Sequence, residues 1–255
     1  MSGELIPELL PEEKLLSFWS HVGELRDRLV RSLLAVFLGT AAAYLLRFQL
    51  WEIAKRPLLG AVPVDHIQPF AYTDLAEPFM SLMRLSFWAD VFLVSPYLFG
   101  QVWGFVKPAL RAREKKMAAT FIGATSACFI AGALFAYFFL FGTLARLLME
   151  EAVKAGLRPN LRPNEYLDLF LYTVVGCGVA FETPVLFYFL ARFGLVGSAA
   201  MLKHWREATL AIMFVSGFMT PGDVIATTII FGVVLLGLYF LSALVVRLVE
   251  RSARP

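Results

Sequence analysis

Apolar residues gather along the chain into six runs, at 29–46, 85–106, 117–145, 169–193, 208–220 and 224–246. A helix needs about 20 predominantly apolar residues to cross a hydrocarbon core of about 30 Å. The runs therefore predict six spanning helices. The fifth is short: its 13 residues rise only about 20 Å. Arg206 and Glu207 bound it on one side, Pro221 and Asp223 on the other. The Pro221–Gly222 turn can join it to the sixth as a tight hairpin. Upstream of the first run the pattern changes. Leu15, Phe18, Trp19, Val22, Leu25 and Leu29 recur at helical spacing, while Glu12, Glu13, Lys14, Glu24 and Arg28 point elsewhere. This predicts an N-terminal amphipathic helix lying at the membrane interface and running on into the first span. Residues 1–28 carry many charges and no short apolar core, so they do not read as a cleavable signal peptide.

Composition sharpens the class. Of 255 residues, 59% are hydrophobic and 17% charged, against about 25% charged in a soluble domain. Too little charge is available to cover a water-facing surface, and disorder has the opposite signature. The fold class is an all-α integral membrane protein, a single six-span domain over 1–255, without internal repeat or linker. Cys128 and Cys177 both lie in apolar runs and form neither a disulfide framework nor a zinc spacing.

Basic residues orient the spans. An even number of crossings puts both termini on one side. With the N-terminus inside, 15 of the 23 Lys and Arg residues fall on the cytoplasmic side and 8 outside. Five of the 15 (Lys107, Arg111, Arg113, Lys115, Lys116) crowd into the short loop between the second and third spans. That bias predicts N-in and C-in. The two long outer loops, about 47–83 and 146–166, are rich in Pro and mixed charge, and loops of that length carry function or structure of their own.

Polar residues are expensive within the runs. Glu182 sits near the middle of the fourth, two residues before Pro184, so it faces a cavity, a partner or the bundle interior. It is either a helix-to-helix hydrogen bond or a functional group. Arg84 and Asp90 are six residues apart, about 600° around a helix, and do not pair with each other. Arg84 is expected to snorkel to the outer interface; Asp90 has no account in the sequence. Glu24 and Arg28 have the i, i+4 spacing of a surface ion pair. Glu114, alone among five basic residues, would neutralise its loop. His21, His66 and His204 lie far apart, so no metal site is expected. No His lies within a span and Asp90 has no acidic partner there, which argues against hydrolysis in the membrane. No enzyme activity and no cofactor is expected.

Several short motifs fall in a recognisable order. Ser20 to Leu29 reads SHVGELRDRL before the first span. Pro57-Leu58 stands in the first outer loop, and Glu77-Pro78-Phe79 leads into the second span. Gln101-Val102-Trp103-Gly104-Phe105 closes that span, followed by Pro108-Ala109-Leu110 and Glu114-Lys115-Lys116. Phe181-Glu182-Thr183-Pro184 lies in the fourth span and Thr220-Pro221-Gly222-Asp223 in the last turn. From about Ser20 to Val246 the chain resembles the TatC family, the receptor subunit of the twin-arginine protein translocase.

The resemblance implies a cup-shaped six-helix protein of the bacterial inner membrane. It would bind twin-arginine signal peptides and export their folded cargo using the proton motive force. It implies signal-peptide contacts at Glu24, Glu114 and Phe105, and an intramembrane polar site at Glu182. Pro57 and Asp223 match positions linked to transport on the outer side. Thr220 and Thr227 match positions where single-span Tat partner subunits dock. Homo- and hetero-oligomers and contacts with membrane lipids are implied, and nucleic acid is not.

Physical chemistry fits this assignment. Two adjacent arginines present two planar, permanently charged forks, each matched bidentately by a carboxylate. Lysine supplies the charge without the fork. The basic residues around Glu114 would fix topology and touch anionic lipid. A folded 100-residue cargo is roughly 30 Å or more across, and six helices about 10 Å wide cannot enclose it. One copy would be a receptor and platform; partners or further copies would supply the passage. The competing class is a proton-coupled small-solute secondary transporter using Glu182 or Asp90. The inverted repeats and broken helix pairs usual in such transporters have no counterpart in the sequence.

Overall fold

The structure is a computed structural model describing residues 11–61, 70–106, 118–157, 160–219 and 225–253. These residues are helical or connecting, with no strand among them. In chain order the helices are α1 (Pro11–Leu45), α2 (Arg47–Ala61), α3 (Glu77–Val106), α4 (Ala118–Phe135) and a π-helical turn (Ala136–Leu140). These are followed by α5 (Phe141–Lys154), α6 (Pro163–Ala180), α7 (Thr183–Arg192), α8 (Ser198–Lys203), α9 (Trp205–Met219) and α10 (Ile225–Ala253). Five stretches are long and apolar enough to cross a membrane: Trp19–Leu45, Glu77–Phe105, Ala119–Lys154, Pro163–Arg192 and Thr228–Arg251. The fifth apolar run folds as α9, whose 15 residues rise about 22 Å.

The interfacial stretch and the first apolar run form one uninterrupted helix, α1. The second and fourth runs start their helices about two turns before their apolar residues do, at Glu77 and Pro163. The third continues to Lys154. The first long loop is not irregular throughout, since α2 fills 47–61 of it. Three of its four charges (Glu52, Lys55, Arg56) lie away from Ala54 and Leu58, which are buried.

The fourth run is two helices. Pro184 has no N–H to give and its ring crowds the carbonyl four residues back, at Ala180. The chain accommodates it by closing α6 with Phe181 N–H to Cys177 O (3.0 Å) and Glu182 N–H to Val179 O (3.1 Å). It then restarts with Leu186 N–H to Glu182 O (2.8 Å). Glu182 is thus the residue at the joint.

Burial is uneven. The largest apolar core joins α2, the π-turn, α5 and α6 around Phe141, Tyr166, Leu167 and Phe170. Phe141 and Leu167 are completely enclosed, and Tyr166 stacks on Phe170 at 6.1 Å between ring centroids. A second core packs α8 against α10 through Met201, Tyr239, Ala243 and Val246. There the Glu250 carboxylate accepts from the Ser198 backbone N–H (2.9 Å) and its hydroxyl. A third holds Trp103, Phe121, Val185 and Phe189. Helix α1 stands apart: it packs along α3, yet none of its residues from Trp19 to Leu45 is buried.

Candidate functional site

Antiparallel packing of α1 on α3 brings the SHVGELRDRL motif beside QVWGF. His21, Glu24 and Arg28 lie at i, i+3 and i+7, one face of α1. Gln101, Gly104 and Phe105 lie at i, i+3 and i+4 on α3. His21 stacks on Phe105, with centroids 4.3 Å apart and planes 16° apart. Arg28 donates to Glu24 Oε1 from Nε (3.0 Å) and Nη2 (2.6 Å). Its Nη1 reaches Gln101 Oε1 at 3.5 Å.

The guanidinium needs the glycine beneath it. A Cβ on Gly104 would stand 2.0 Å from Arg28 Nη1. Any side chain there would push the fork away from Gln101. Glu24 and Arg28 remain 34% and 26% exposed, so the pair is open to an incoming group. Glu24 Oε2 lies 3.8 Å from His21 Nδ1 and takes no part in the Arg28 contacts. The cluster therefore holds a carboxylate that already grips one guanidinium through Oε1 and offers a second oxygen beside an aromatic stack.

Glu24 and Phe105, candidates from the sequence, are thus neighbours. His21, Gln101 and Gly104 complete the arrangement, and the sequence does not single them out as site residues. The signal for Gly104 is its place in QVWGF, where a glycine weakens the helix without an evident local reason. Glu114, Thr220 and Asp223 lie outside the described residues, as does the side chain of Thr227.

Two carboxylates lie deeper. Glu182, at the α6–α7 joint, has a buried Oε1 with no hydrogen-bond partner among the described residues, and Cys128 of α4 is within its electrostatic reach. Asp90 is 1% exposed. Thr40 donates to its Oδ2 at 3.3 Å, while Oδ1 presses into the space over Gly39, where a Cβ would come within 1.9 Å. Asp90 therefore ties α3 to α1 at a point where any larger residue than Gly39 would force the carboxylate to move.

The end of the bundle away from Glu24 is densely cross-linked. Arg162 reaches Glu77 (3.2 Å), Thr73 (2.7 Å) and Glu165 (3.2 Å). The Thr73 N–H also donates to Glu77 (3.2 Å). The hydrogen bond and charge of Glu77 raise the pKa of the Arg162 guanidinium above its ordinary value. Ser81 donates to Asn164. Arg84 pairs with Asp168, so its charge is met by a partner on α6 that the sequence does not mark.

Pro57 sits inside α2 and has no N–H for the Ile53 carbonyl. The Tyr137 hydroxyl of the π-turn donates to that carbonyl instead (2.9 Å). The neighbouring Ala54 carbonyl accepts from Tyr166 (2.6 Å).

Comparison with known proteins agrees with this architecture. A family model described as TatC, Sec-independent protein translocase protein, matches residues 20–232. The Sec-independent protein translocase protein TatC of Koribacter versatilis is 30% identical over 242 residues, 94% of this chain and 89% of the relative. That of Campylobacter jejuni is 33% identical over 236 residues, 92% and 95%. A crystal structure of the twin arginine translocase receptor TatC superposes with a TM-score of 0.77 at 26% identity, covering 89% of this chain and 98% of the other.

Proposed function

The chain belongs to the TatC family of Sec-independent protein translocase proteins, and we propose that it is the signal-peptide receptor of its translocase. The family places it in a multi-pass membrane component of protein transport. The finer assignment rests on one observation: Glu24, already shaped to hold a guanidinium, lies against the His21–Phe105 stack.

In this reading Arg28 occupies the site much as one arginine of the signal peptide would. The arriving arginine binds Glu24 through Oε2, while Arg28 stays on Oε1 and holds the carboxylate in place. A planar fork can set two N–H groups on that one oxygen, as Arg28 does on Oε1; a compact, strongly hydrated ammonium has no such fork. Glu114 takes the second arginine from the segment between α3 and α4. The His21–Phe105 stack offers an apolar wall for the peptide residues beyond the arginine pair.

The topology proposed is six spans with α9 as the short fifth, both termini cytoplasmic, in the inner membrane. The antiparallel succession supports it: α1, α3, the α4–α5 rod, α6–α7, α9 and α10 alternate, so the start of α1 and the end of α10 lie at one end. Glu182, with an unpartnered oxygen at the joint of a broken helix, would meet a polar group of a partner's membrane helix or of the bound peptide. Thr220 and Thr227 would contact single-span partner subunits near the hairpin, and Pro57 and Asp223 would act on the outer side. Passage of folded cargo, driven by the proton motive force, would need those partners and further copies, because one bundle is too narrow.

The test is peptide binding to purified protein in nanodiscs. Wild type, Glu24→Gln and Glu114→Gln are each titrated with twin-arginine and twin-lysine peptides. The wild type should prefer arginine by about tenfold or more, and each variant should lose most of that preference. Equal binding of both peptides, or an undiminished preference in both variants, would return the two acids to the status of surface charges.

A further inference from the structure

At the end away from Glu24, α2 and the π-turn with α5 enclose an open cavity of about 810 Å³. Its walls are mostly apolar, with Phe138 and Phe139 each 67% exposed. Arg56 and Arg146 both line it, the Tyr137 hydroxyl lies between the two helices, and no acidic residue is among the lining. Among the described residues neither arginine is in an ion pair; Arg146 uses only Nε, on the Ala61 carbonyl (3.3 Å).

We propose that this cavity binds an anionic phospholipid, with the phosphate held between Arg56 and Arg146 and an acyl chain along Phe138 and Phe139. Three observations converge on that occupant. The first is charge. Two exposed guanidiniums line one cavity with no carboxylate among the lining, and a phosphate oxyanion can accept from both forks.

The second is depth. The α4–π–α5 rod starts its apolar stretch at Ala119. Phe138 and Phe139 lie 19 and 20 residues on, about 30 Å, which is the thickness of the hydrocarbon core. Arg146 is 27 residues on, about 40 Å, some 10 Å past that boundary on the polar side. The two rings thus stand at the edge of the acyl region and the guanidinium on its polar side.

The third is the π-turn itself. One extra residue in a helix rotates the turns after it, and such turns are frequent at functional sites. Here Tyr137 turns onto α2 while the next two rings face outward. That this is the outer leaflet rests on the proposed topology; that an anionic lipid binds does not.

Native mass spectrometry of the purified protein, with phosphatidylglycerol or phosphatidylcholine of identical chains, tests the site. Phosphatidylglycerol should be retained over phosphatidylcholine. Arg56→Gln and Arg146→Gln should each weaken it about fivefold and together about 30-fold, as expected from roughly 1 kcal/mol per basic residue. Melting of each variant checks that it is folded. Arg111→Gln with Arg113→Gln controls for the basic loop.

Undiminished phosphatidylglycerol in the folded double variant, or loss only in the loop control, would overturn the proposal. So would a photo-crosslinker at Phe139 that captures a membrane helix and no lipid in native membranes. Titrating the twin-arginine peptide on the same preparations separates the two readings. Failure of peptide binding with lipid binding intact would count against the receptor function alone. Labelling of Arg146→Cys by an impermeant maleimide from outside assigns the leaflet.

Discussion

The two ends of the bundle are built on opposite principles. At one, Glu24, Arg28, His21 and Phe105 form a half-exposed cluster carried by α1, a helix with no buried residue from Trp19 to Leu45. At the other, Arg162, Glu77, Ser81, Asn164, Arg84 and Asp168 lace α3 to α6, above a core in which Phe141 and Leu167 are fully enclosed. A receptor surface must leave part of its hydrogen-bonding capacity unused until a ligand arrives. A frame that holds it must not. The difference predicts that mutations at the Glu24 end change binding and mutations at the Arg162 end change stability.

The largest expected effect comes from the frame. Phe141→Ala removes a ring that packs edge-on against both Tyr166 and Phe170, at 5.6 and 5.2 Å. A buried Phe→Ala replacement costs about 3–5 kcal/mol. The variant should melt well below wild type in detergent. A melting curve that does not move would remove the distinction between the two ends. Gly104→Val probes the other end with an intermediate effect. Its side chain would expel Arg28 from its seat against α3, disturbing the Glu24 carboxylate it orients. Twin-arginine peptide affinity should fall about tenfold, close to the low end of the roughly 1.5–3 kcal/mol that a hydrogen bond to a charged group contributes. The melting temperature should change little. A large loss of stability with intact peptide affinity would make the cluster part of the frame.

How much of this is legible in the sequence depends on the distance over which residues act. Spans follow from run length alone, so α3, the α4–α5 rod and α10 are plain in outline. The short α9 is plain as well. Glu24–Arg28 is a one-turn contact, visible in its spacing. The joint at Glu182 is signalled by Pro184, although an apolar run longer than 20 residues reads as one helix until the proline is weighed. The pairs Ser81–Asn164 and Arg84–Asp168 join residues 83 and 84 positions apart, and nothing local marks them. Arg28 on Gly104 and Asp90 on Gly39 are likewise contacts between helices, where a glycine reads only as a weak helix former until its neighbour is known. The π-turn at Ala136–Leu140 lies in an apolar stretch with no breaker. Tyr137 within it donates to the Ile53 carbonyl of α2, a tertiary contact that nothing local marks.

The smallest effect is the most diagnostic of how the frame reaches its cavity. Pro57 leaves the Ile53 carbonyl without its helical donor, and Tyr137 supplies one. Tyr137→Phe alone should cost about 0.5–1 kcal/mol, at the low end for a hydrogen bond because Ile53 is exposed. Pro57→Ala restores a backbone N–H at that position, so the carbonyl can be satisfied within α2. In that background Tyr137→Phe should cost much less, and the double-mutant cycle should give a coupling of about 0.5 kcal/mol or more. Additive effects would mean that the hydroxyl and the proline act independently. A positive coupling would show that a proline in one helix and a π-turn in another are two halves of a single contact, and that the cavity between them owes its shape to both.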